Sequence, residues 1–146
     1  MPSPTMNAQT RREWRGLGFF YERDDAGKRW VVKGSKAGVL VFTKLLWEYG
    51  QNPKNDQVSE HAHYGPYSYL EFMTWSEPKF DRHAIQGRLP DFARLADLVE
   101  ARLFVTGPRG GFDIGDEYSE KNEYILRVEV MDDGFDPASP DPHCRD

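Results

Sequence analysis

His61 and His63, one residue apart, are the side chains of this sequence best spaced to act together. In an extended strand successive side chains alternate, so both imidazoles point to one side and can ligate one metal ion. A site needs further donors, and Glu71, Asp81 and His83 are the candidates nearby. No Cys-x-x-Cys or His-Glu-x-x-His accompanies the pair, and nothing in the spacing fixes a third ligand. The expectation is that no metal and no cofactor is bound, with a site at His61 and His63 as the alternative. Glu71 facing Glu60 across the same hairpin is a second arrangement, although such carboxylate pairs are rarely tuned for acid–base work. No Gly-x-Ser-x-Gly surrounds a serine, and Ser35, Ser59, Ser68 and Ser76 sit in capping, loop or strand contexts. Cys144 lies in a proline-rich tail, where a thiol nucleophile is not expected. No set of residues here assembles a recognisable catalytic motif.

The elements that must position these residues are short. Residues 61–75 read as two strands around a Gly65-Pro66 turn, with Leu70, Phe72 and Thr74 on one face and Tyr69, Glu71, Met73 and Trp75 on the other. Residues 17–23 and 29–33 form an opening hairpin around an Asp-Asp-Ala-Gly-Lys turn. Residues 36–49 read as a helix with Ser35 as its N-cap and Gly50 as its stop. Residues 89–103 carry Phe92, Leu95, Ala96, Val99 and Leu103 at helical spacing, with Asp91 favourably placed in the first turn. Residues 83–87 and 123–131 read as strands. The glycines of residues 106–111 lack the Gly-Lys-Ser/Thr ending of a phosphate loop. The expected fold is α+β: one antiparallel sheet of about five to six strands with two helices packed on one face.

Charge and composition bound the rest. The 146 residues are 38% hydrophobic but 14% aromatic, enough to build a core. Residues 1–110 hold 16 Lys/Arg and 13 Asp/Glu, whereas residues 111–146 hold 3 and 11. An acidic C-terminal third repels phosphates and fits a basic protein partner better than nucleic acid. No apolar run is long enough to span a bilayer, and residues 1–12 lack the apolar core of a signal peptide, so a cytoplasmic protein is expected. Residues 1–12 are expected to be a flexible extension, 13–131 a single α+β domain, and the proline- and aspartate-rich 132–146 a disordered acidic tail. Of the aromatics Trp30, Trp47, Tyr64, Tyr67, Tyr69 and Trp75, most should pack in the core, with Tyr67 beside the turn left exposed.

The series Val32-Lys33-Gly34-x-x-x-Gly38-Val39-Leu40, then His61-Ala-His63-Tyr64-Gly65-Pro66-Tyr67-x-Tyr69-Leu70, then Ile85-x-Gly87-x-Leu89-x-Asp91-x-x-x-Leu95 resembles small bacterial immunity proteins of polymorphic-toxin and secreted-effector systems. The resemblance spans about residues 29–105. It implies a cytoplasmic protein that binds a cognate toxin or effector and blocks its active site, without catalysis of its own. It names no contact residues. Exposure and charge suggest Tyr67, Asp113, Asp116, Glu117 and Glu120 as partner-binding residues. The alternative is a small metal-dependent hydrolase or metal-binding protein using His61 and His63.

Overall fold

Alternating burial along short strands organises two sheets. The computed structural model describes residues 4–144. β1 (Phe20–Asp24) and β2 (Arg29–Gly34) form the expected opening hairpin. Asp24 closes its turn by accepting from Gly27 N and Arg29 Nε, each at 3.0 Å. β8 (Ile125–Val130) runs parallel to β2, and β7 (Gly111–Ile114) pairs antiparallel with β8, giving the order β1-β2-β8-β7. Trp30 and Val32 share the core face of this sheet with Leu126, Val128, Val130, Phe112 and Ile114.

The second sheet holds β3 (His61–Tyr64), β4 (Leu70–Thr74), β5 (Lys79–Phe80) and β6 (Ile85–Gly87) in the order β3-β4-β6-β5, with β4 and β6 parallel. The fold is α+β, as expected, but the expected single antiparallel sheet is corrected to two four-stranded mixed sheets. The reason is physical. Side-chain alternation reports which face of a strand is buried, not which strand lies beside it. β5, with two residues, is also too short to show a period. The sheets meet where Glu123 N and Tyr124 N both donate to the Phe80 carbonyl at 3.0 Å, and where Trp30 Nε1 donates to the Asp81 carbonyl at 2.8 Å.

α2 (Lys36–Gln51) and α3 (Leu89–Val105) pack on each other and reach both sheets. Ser35 caps α2 as expected, its Oγ accepting from Gly38 N at 3.2 Å. Gly50 does not stop the helix, which continues to Gln51. A Cβ on Gly50 would lie 2.6 Å from the Leu89 carbonyl, so this glycine lets α2 approach α3 closely. Tyr49 joins the layers, its ring centroid 4.5 Å from Phe92 and 6.0 Å from Phe72. In α3 the five residues of the predicted stripe are the five that are buried. Asp91 Oδ2 accepts from Arg88 N at 2.9 Å, joining the chain entry to the first turn. Among the described residues no helix is long and apolar enough to cross a membrane.

Both ends of the chain differ from expectation. Of residues 1–12, expected to be flexible, 4–12 lie in α1 (Pro4–Leu17), and 1–3 fall outside the described residues. Its Trp14, 2% exposed, packs on Phe20 and Tyr21 at centroid distances of 4.8 and 5.1 Å. The tail, expected to be disordered from residue 132, instead docks on α1 and buries Ala138, Asp141 and Cys144 as far as the described residues extend. Arg15 and Asp136 pair at 2.9 Å across this contact. Composition predicted disorder because few apolar groups are present, but here polar groups make the dock.

Truncating Leu95, fully buried in α3, should cost about 2–5 kcal/mol. Denaturant unfolding of Leu95→Ala checks this, and a loss below about 1 kcal/mol, the range of surface substitutions, would place the stripe outside the core.

Candidate functional site

The β3–β4 ladder decides which groups meet. His63 lies directly opposite Glu71, and His61 opposite Met73. Residues opposite one another in an antiparallel pair share a face. His61, His63 and Glu71 therefore stand together on the outer side, while Leu70, Phe72 and Thr74 are buried on the inner one. One potential ligand atom from each of the three lies within 4.8 Å of the others. His63 Nε2 is 3.2 Å from Glu71 Oε1. The Glu71–Glu60 pair is not formed, because the register gives Glu71 to His63 and brings the Glu60 carbonyl to Thr74 N at 2.8 Å.

The other two ligand candidates go elsewhere. Asp81 is buried and accepts from His83 N, Ala84 N and the Gln86 side-chain amide. These bonds shape the turn between β5 and β6. His83 is exposed in that turn. Among the described residues, His61, His63 and Glu71 are the group of three that can converge on one cation.

Beside this cluster the chain makes a strained turn. Tyr67 and Ser68 both have left-handed backbone, with φ of 65° and 56°. Each such residue costs about 1–3 kcal/mol and persists only where its surroundings hold it. The hold is polar. Tyr21 Oη donates to the carbonyls of Tyr64 and Pro66, and accepts from Tyr69 N at 3.2 Å. Tyr67 Oη donates to Asp141 Oδ2 at 2.7 Å. The same oxygen receives Trp14 Nε1 at 2.9 Å and the Cys144 thiol at 3.6 Å, and Oδ1 receives His143 N at 2.9 Å. Trp14, Phe20, Tyr21, Tyr67 and Tyr69 line an open groove of 390 Å³, edged by Glu22, Arg23 and Asp141.

Electrostatics at Asp141 follow from these bonds. Burial raises the carboxyl pKa, but the donors from Trp14, Tyr67, His143 and Cys144 outweigh it, leaving the group below the ordinary carboxylate range. Burial, then the Asp141 bond and charge, push the Tyr67 phenol up. Burial and the same carboxylate push the Cys144 thiol up to about 11. That thiol is protonated at neutral pH and inert as a nucleophile.

Tyr67 is 46% exposed, as expected, but Tyr69 at 65%, Trp47 at 51% and Trp75 at 36% are exposed too, against the expectation that most of these aromatics pack in the core. The acidic candidates lie at the other edge of the first sheet. Asp113 pairs with Arg127 at 3.4 Å and Glu117 with Arg102 at 3.0 Å, while Asp116 and Glu120 face solvent. Backbone N–H groups of Glu117 and Gly115, helped by Arg102, hold the Glu117 carboxyl below its usual range. Trp14 and Asp141 were missed as site residues. The available signal was a lone tryptophan among polar residues near the start of the chain.

No family model matches this chain, and no curated protein or solved structure is significantly similar to it.

Asp141→Ala should cost about 1–3 kcal/mol by leaving buried donors unpaired, and should speed alkylation of Cys144 by iodoacetamide at pH 8. Alkylation of native Cys144 as fast as in urea would show that the tail is not docked. The depressed Asp141 pKa sets the pH sign: the stabilisation is present above the unfolded carboxylate value, near 4, and is lost as pH falls through the lower folded value. The Trp14 indole N–H resonance should therefore keep its hydrogen-bonded position at pH 4 and lose it on further acidification. Loss already near pH 5 would contradict the sign.

Proposed function

We propose that this chain is a binding protein that captures a cognate bacterial toxin or secreted effector in the cytoplasm and blocks its active site. The supporting observation is the groove of Trp14, Phe20, Tyr21, Tyr67 and Tyr69. Its exposed rings are Tyr67 and Tyr69, set on a buried floor of Trp14, Phe20 and Tyr21, and exposed tyrosines are enriched in binding hot spots. The turn that presents Tyr67 and Tyr69 is held before any partner arrives, which lowers the ordering cost of association. The toxin or effector as partner follows from the immunity-protein resemblance of residues 29–105. A basic partner follows from charge: residues 111–146 carry 11 Asp/Glu against 3 Lys/Arg. In this reading the groove anchors the complex, and Asp113, Asp116, Glu117 and Glu120 steer the approach.

The test is co-expression with the product of the neighbouring gene, followed by measurement of the purified pair. Tyr67→Ala should weaken the complex by about 30-fold or more, the loss of a hot-spot residue. Replacing Asp113, Asp116, Glu117 and Glu120 by their amides should slow association at low salt and flatten its salt dependence, since exposed charges act through the on-rate and are screened. Unchanged affinity in Tyr67→Ala would remove the groove from the interface, an unchanged on-rate would remove the acidic edge, and failure to find a protein partner would overturn the reading.

A further inference from the structure

We propose that His61, His63 and Glu71 form a Zn²⁺ site on the outer face of β3–β4, with the two histidines binding through Nε2 and water in the fourth position. This reverses the expectation of no metal, which rested on the lack of a positioned third and fourth ligand; the register supplies Glu71 as the third.

Two observations carry the inference. The first is the contact between His63 and Glu71. His63 Nδ1 lies 2.9 Å from the Ser68 carbonyl, which can only accept, so Nδ1 bears the proton. The other ring nitrogen, Nε2, then faces Glu71 Oε1 at 3.2 Å. The spacing matches the roughly 3.4 Å between ligand atoms that each stand about 2.1 Å from a tetrahedral zinc. His61 is set the same way, with Nδ1 3.1 Å from the Ser59 carbonyl. One of its ring nitrogens lies within 4.8 Å of a ligand atom of each of the other two residues. An imidazole that gives its other N–H to a backbone carbonyl is the usual outer arrangement of a metal-binding histidine.

The second observation is where those carbonyls come from. Ser59 and Ser68 are both non-glycine residues with left-handed backbone, at φ of 75° and 56°. Ser59 is held by its N–H to the Thr74 carbonyl at 2.9 Å, and Ser68 by its N–H to the Gly65 carbonyl at 3.2 Å. Backbone strain thus stands behind each histidine, one at either end of β3. Such strain clusters where geometry is set for a ligand. Two imidazoles and a carboxylate suit zinc, whose filled d shell tolerates an open, solvent-facing position.

The site is independent of the toxin-binding reading and is tested without a partner. The full chain, freed of any affinity tag and stripped with EDTA, is titrated with ZnCl₂ and passed over a desalting column. One Zn²⁺ per chain should be retained, and Co²⁺ in its place should give the intense visible bands of a tetrahedral complex. Glu71→Gln should weaken binding at least about tenfold, and His61→Ala/His63→Ala should abolish it. All variants should melt like the wild type in EDTA, because the three side chains lie outside the core, and zinc should raise the melting temperature of the wild type alone. The proposal is overturned by no retained zinc, which would leave His63 and Glu71 a protonated ion pair, by zinc retained in the double variant, or by binding of Cu²⁺ without Zn²⁺.

Discussion

The Asp141 carboxylate takes hydrogen bonds from Trp14, 127 positions earlier in the chain, and from Tyr67, 74 positions earlier. Its residue is 3% exposed. A buried carboxylate is tolerated only when its lone pairs are filled, and here indole, phenol, thiol and one backbone N–H fill them. The donors belong to three segments far apart in the sequence. α1 is mostly polar, the tail is rich in proline, and the turn at Tyr67 is strained. This anion joins the three segments, together with the Tyr21 hydroxyl at the turn and the Arg15–Asp136 pair on the tail, and the aromatic groove lies between them.

How much of this was legible depended on the kind of interaction. The α3 stripe was readable because five apolar residues at helical spacing admit one buried face. The face assignment of β4 was readable for the same reason with period two: Leu70, Phe72 and Thr74 are buried and Glu71 and Met73 are not. From the sequence, His61 and His63 were placed on one side of a strand, but the third ligand was left open among Glu71, Asp81 and His83. That choice depends on a register that a turn with two left-handed residues sets, and no residue type at Tyr67 or Ser68 announces such backbone.

The illegible parts are long-range and polar. Nothing in residues 125–130 says that they lie beside β2 rather than beside a neighbour in sequence, and this pairing divides the structure into two sheets. The tail shows the same limit from the other side. Aspartate and proline together resemble a solvated segment, yet Asp141 in contact with Trp14 behaves as an anchor. Composition averages over such a residue, whereas the structure turns on its single oxygen shared by three donors.

The parallel pairing of β2 with β8 sets the order in which this protein can be completed. Arg29 meets Ile125 and Gly34 meets Val130. While the chain is being made, the opening hairpin emerges before β8 and must wait for the residues between β2 and β8 before its inner strand gains its second neighbour. For that interval the β2 backbone, with Trp30, Val31 and Val32 side by side, is an unpaired apolar edge, the kind of surface that recruits other chains. Synthesis from the ribosome therefore leaves the first sheet unfinished until its last strand arrives, and its folding is governed by closure of a long loop rather than by local helix or hairpin formation.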